Sequence, residues 1–115
     1  MYIALGELST AAAHLGESLA LVLQHQLVVD GIQALTASAL VLQQWGQWEP
    51  AAAIAAHVLA DERTRSGARQ HCHALLQAAA DIMSTAAWDA AQFRGRSTPF
   101  TQMVQSTIEI LGGEK

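Results

Sequence analysis

The sequence predicts an all-α fold of five or six helices packed as antiparallel helix pairs, on three observations. Apolar residues recur at helical spacing along nearly the whole chain, and no strand-like alternation bounded by hairpin turns appears. Alanine, the best helix former, supplies much of the apolar fraction, and there are only two prolines. The length of 115 residues suits one compact unit, so residues 1–115 are read as a single domain.

Each element has its own signal. A first, weakly patterned helix runs from Tyr2 to about His14, where Gly16 interrupts, and Glu17 to Val29 forms a strongly apolar second helix. Asp30-Gly31 reads as a turn, because glycine tolerates the positive φ that ends a helix. Ile32, Leu35, Ala39 and Leu42 then step at helical spacing toward Gln44. The next break is Trp45 to Pro50, with Pro50 suited to a first helical turn, where a missing N–H costs nothing. Ala51, Ile54, Ala55, Val58 and Leu59 line one face of the following helix, which ends in the charged run Asp61 to Arg65.

Ser66 is placed to cap a long fifth helix with the stripe Ala68, Cys72, Leu75, Leu76, Ala79, Ile82, Met83 and Ala86. Arg94 to Ser97 closes that helix. Thr98-Pro99 opens the last one, with Phe100, Met103, Val104, Ile108 and Leu111 facing inward and Gly112-Gly113 ending it.

Composition points to binding. Apolar residues make up 51% of the chain and charged residues only 14%, against about 25% charged in an ordinary domain. So few charges leave much of the surface neutral or apolar, and such surfaces mark interaction sites. The first 62 residues carry Glu7, Glu17, Asp30, Glu49, Asp61 and Glu62 and no Lys or Arg, which argues against a nucleic-acid footprint. Arg63, Arg65 and Arg69 form a small basic cluster suited to an acidic partner or to a solvated helix end. Polar residues interrupt the most apolar stretch, Leu19 to Leu42, so no membrane span is expected. With no signal peptide evident and Cys72 the lone cysteine, the expected compartment is the cytoplasm.

No constellation points to catalysis, and the sequence is read as a non-enzyme without metal or cofactor. His71 and His73 lie two apart, about 200° around a helix, and cannot chelate one ion. Zinc needs three or four ligands converging from one side. His57 and Asp61 are four apart but lack a second pair, so surface or capping roles are expected for the histidines. Cys72 sits on an apolar stripe without a base beside it, and reads as a small buried hydrophobe.

Two tryptophans within four residues mark the turn between two helices. Trp48 is expected to plug that joint. Trp45, Trp88 and Phe93 are expected to be partly exposed and, with Leu40 and Arg69, are the candidate partner-binding residues.

The stretch from Ala39-Leu40 through Gly46-Gln47-Trp48-Glu49-Pro50-Ala51 to Val58-Leu59 resembles a tetratricopeptide (TPR) repeat, a helix–turn–helix of about 34 residues. Ala39 matches the small residue of the first helix and Gly46 the glycine before the turn. Trp48 matches the aromatic after it, Ala51 the small residue opening the second helix, and Leu59 the closing leucine. Gly46, Trp48 and Ala51 are therefore the structural turn residues. Leu35 stands where the repeat has tryptophan and Arg63 where it has proline.

In length and plan, including Ser97-Thr98-Pro99-Phe100 before a short last helix, the chain is similar to needle-subunit chaperones of bacterial type III secretion systems. That resemblance implies a cytosolic TPR-like chaperone or adaptor that holds an amphipathic helix of a filament subunit and works as a heterodimer or larger hetero-oligomer. Gln44 to Ala53 loosely resembles the WXG class of secreted helical hairpins, with Pro50 where that class needs glycine. A subunit that self-associates through its apolar faces is a further alternative.

Overall fold

In the computed structural model, residues 5–25, 28–61 and 64–113 are described, and among them the chain is helical with no strand. Six helices follow in order: α1 (Leu5–His25), α2 (Val28–Gln44), α3 (Trp48–Ala60), α4 (Ser66–Ile82), α5 (Thr85–Ser97) and α6 (Phe100–Gly113). Tyr2, Glu62 and Arg63 lie outside the described residues.

The α2–α3 joint follows the sequence signal closely. Gly46 has φ +77°, in the left-handed region. Its N–H bonds the Gln43 carbonyl at 3.0 Å, while the Gln47 N–H bonds that of Leu42 at 2.8 Å. This pair of bonds is a Schellman closure, which needs a residue free of Cβ strain at the glycine position. Pro50 falls in the first turn of α3, as expected.

Elsewhere the helix boundaries differ from the sequence reading. Gly16 does not interrupt α1, and Asp30-Gly31 is no turn but part of α2. The reason for Gly31 is lateral: a Cβ there would collide with the Phe100 ring and come within 2.8 Å of Val22 Cγ1. The expected long fifth helix is broken at Met83-Ser84, where Ser84 accepts a hydrogen bond from the Ala87 N–H at 3.2 Å and caps α5. The break re-aims the chain, so Ile82 and Ala86 are exposed instead of continuing the buried stripe. Ser66 is the first residue of α4 and not its cap, a position held by Arg65 without a side-chain bond. Pro99 lies just before α6, its carbonyl accepting from the Met103 N–H at 2.9 Å.

Helix α3 is the centre of one half of the molecule and packs against α2, α4 and α5, whereas α6 lies on α1 and α2. Its residues Ala51 to Val58 are all buried, so apolar residues ring the helix instead of lining one face. The closest approach is to α5. A Cβ on Gly95 would run into the Ala53 carbonyl and lie 3.1 Å from Ala56 Cβ, so glycine and alanines let the two backbones meet. By contrast α4 and α5 scarcely touch each other. Both rest on α3, which leaves a gap between them.

Arg69 and Thr64 close the glycine-free end of α3. The Arg69 guanidinium donates to the carbonyls of Leu59 (3.2 Å), Asp61 (3.0 Å) and Thr64 (3.2 Å), and the Thr64 hydroxyl donates to that of Val58. These bonds satisfy carbonyls that a helix end otherwise leaves orphaned.

Candidate functional site

A strongly apolar concavity among the described residues runs along α2. Its larger part, about 620 Å³, has Ala37, Leu40 and Val41 as a floor, Ala11 and Leu15 of α1 as one wall and His71 of α4 opposite. His14, Gln43 and Gln44 supply polar groups. A second depression of about 450 Å³ also touches His71 and continues past Thr36, Gln33 and Ile32 to Arg65. Together they form a trough from Ile32 to Gln44, about 18 Å at 1.5 Å per helical residue.

The trough exists because α2 is apolar on two faces. Leu35, Ala39 and Leu42 are turned into the core and are almost fully buried. Ala37 and Leu40, on the adjoining face, are only half-buried. Small side chains at positions 11 and 37 recess the surface between α1 and α4, and no helix of the described chain fills it.

The predicted partner-binding residues do not form one patch. Leu40 lies in the trough. Trp45 and Trp48 flank the α2–α3 turn and pack, half-buried, against the core. Ala51 is fully buried. Trp88 is half-buried in the gap between α4 and α5, and its indole N–H donates to the Leu76 carbonyl at 3.0 Å. That gap, about 350 Å³, also meets Leu59, His73 and Arg96. Phe93 is 67% exposed on α5. Arg69 has its guanidinium engaged by the end of α3, a fastening role that basic clustering alone did not indicate.

Leu15 and Ala37 were not singled out from the sequence, and His71 was weighed only as a metal ligand. One signal for them was present: Ala37, Leu40, Val41 and Gln44 repeat at the same three-four spacing as the core face beside them.

His57 is buried, not at the surface, with its Nδ1 3.2 Å from the Gly95 carbonyl. A carbonyl only accepts, so Nδ1 carries the proton. This carbonyl is available because the residue four positions on is Pro99, which has no N–H. The ring stacks on Phe100 with centroids 6.2 Å apart, and Nε2 is buried with no hydrogen-bond partner among the described residues. Histidine, glycine and phenylalanine thereby tie α3, α5 and α6 together.

Cys72 is buried, and loss of hydration pushes its thiol up to about 11, a hydrogen bond with Thr36 opposing the shift. Its thiol is a poor nucleophile at neutral pH. Among the described residues no three His, Cys, Asp or Glu side chains are grouped to hold a metal ion, and no helix is long and apolar enough to cross a membrane.

No protein-family model matches the sequence, and no curated protein or solved structure matches it either.

Proposed function

We propose that this chain is a non-catalytic protein-binding module, a chaperone or adaptor that cradles an amphipathic helix of a partner protein in the trough along α2. The observation that carries the reading is the trough itself: an unfilled apolar channel between two helical walls, floored by half-buried Ala37 and Leu40. Its length suits about three turns of helix. Helix-in-groove recognition works through apolar anchors at i, i+3, i+4 and i+7, and the half-buried Leu15, Ala37 and Leu40 offer the facing surface. The low charged fraction supports the same reading, because a covered face need not be charged.

The particular version we favour is a cytosolic chaperone of a secreted filament subunit, as in type III secretion. Its support is the Gly46-Gln47-Trp48 turn and the resemblance of the whole plan. Co-expression with the small helical proteins encoded beside it, followed by affinity capture and light scattering, tests this. A stable hetero-oligomer that is lost in a folded Leu40→Glu variant is the expected result. A homo-oligomer that ignores those proteins, or a complex indifferent to Leu40→Glu, refutes it.

A further inference from the structure

A second concavity lies apart from the trough, in the gap of about 350 Å³ that α4 and α5 leave over α3. Ala56 and Leu59 of α3 floor it, and the buried Leu76 continues that apolar surface onto α4. Trp88 stands half-buried on the α5 side. Its one polar group is already committed, the indole N–H donating to the Leu76 carbonyl at 3.0 Å. What the ring offers a ligand is therefore hydrocarbon and π surface.

The charge of the lining has one sign. Arg96 is its one full charge, His73 and Gln92 add N–H donors, and no Asp or Glu takes part. The neighbouring Arg94 is neutralised by Glu49 at 3.0 Å, whereas Arg96 has no ion pair among the described residues. Of the lining residues on α5, Trp88 is nearest the Met83-Ser84 break and Arg96 furthest from it, about 12 Å along the helix. His73 is likewise the lining residue of α4 furthest from the break. An aromatic end thus grades into a cationic end. The volume falls at the lower end of small-molecule pockets, roughly 300–1,000 Å³. A guanidinium fork matches a planar carboxylate through two parallel hydrogen bonds, and one Arg balances one carboxylate but not a phosphate dianion. We infer that this gap is a binding site for a small aromatic carboxylate, its ring lying against Trp88 and Leu59 and its carboxylate held by Arg96 and His73.

Naphthoate, the neutral naphthamide and the cationic naphthylmethylamine share one ring system and test this on the full chain. Binding is followed by the indole N–H resonances in proton–nitrogen correlation spectra, with Trp88→Phe identifying the Trp88 signal. Naphthoate should shift that signal and bind about two- to fivefold more tightly than the amide, the range for one exposed ion pair, with the amine weakest. Raising salt should narrow the difference. Arg96→Gln should bring naphthoate to the affinity of the amide, and Gln92→Glu should weaken it. Leu40→Glu, in the trough, should leave it unchanged, with circular dichroism verifying that each variant is folded. A Trp88 signal that naphthoate leaves in place, or equal binding of naphthoate and amide, overturns the inference. So does naphthoate binding that Arg96→Gln leaves unchanged or that a folded Leu40→Glu variant loses. The helix-binding role of the trough stands or falls on its own test.

Discussion

Gly95→Ala puts the packing of α5 on α3 to a test whose sign is informative. By helix propensity alone, alanine inside a helix stabilises by about 1 kcal/mol relative to glycine. Here the new Cβ would strike the Ala53 carbonyl oxygen and lie 2.9 Å from its carbon. Carbon atoms settle at about 3.5–4.0 Å, so the contact with the carbonyl carbon alone makes α5 retreat by roughly 0.6–1.1 Å, and the nearer oxygen demands at least as much. Overpacking of this kind costs about 1–3 kcal/mol. Retreat also stretches the 3.2 Å bond from His57 Nδ1 to the Gly95 carbonyl. With Pro99 four residues on, that carbonyl has no helical N–H to turn to, and a stranded buried group costs about 1–3 kcal/mol. Set against the propensity gain of about 1 kcal/mol, the expected net loss is about 1–5 kcal/mol. Urea denaturation followed by circular dichroism measures it. A variant as stable as the parent, or more stable, would show that α3 and α5 do not meet at Gly95.

Substitutions at three further positions probe the helix junctions. Trp88→Ala should lower stability by about 2–4 kcal/mol, because the indole packs on the core and donates to the Leu76 carbonyl, and, lying outside the trough, should leave binding there unchanged. A loss of binding with an unchanged melting temperature would instead favour the partner-anchoring role expected of this partly exposed aromatic. Arg69→Met should cost about 1.5–3 kcal/mol by denaturant titration, the range for bonds made by a charged donor; Arg69→Lys should recover little, since one ammonium cannot reach three carbonyls in a plane. Cys72 should resist alkylation at pH 8 until the protein is unfolded. Its folded pKa is raised from 9.0 to about 11, so its contribution to stability is complete below pH 9 and fades as pH rises toward 11. The loss approaches about 2–3 kcal/mol, and Cys72→Ala should lack that component of the alkaline slope.

Features readable along the chain were those that act over one or two turns. Gly46 before Gln47-Trp48, Pro50 in a first turn and the apolar stripe of α6 depend on local dihedral and periodic preferences, and the structure keeps all three. The reading erred where a residue's reason lay across the fold. Asp30-Gly31 has the composition of a turn, yet Gly31 serves the approach of Phe100 from α6. Ser84 went unnoticed as a cap because Ile82, Met83 and Ala86 continue the helical period straight across it. The binding residues were only partly legible: Leu40 lies in the trough, but exposed aromatics drew attention away from the small residues that shape it.

By itself the sequence determined the helical class, the break between helices at Gly46 and a weakly charged, apolar composition, because backbone propensity and periodicity are local. Tertiary structure decided which glycines are contacts and that His57 is buried against a carbonyl orphaned by Pro99. It also decided that α2 keeps a second apolar face uncovered between α1 and α4. Those outcomes depend on which helices become neighbours, and that choice minimises exposed apolar area and unpaired polar groups over the whole chain.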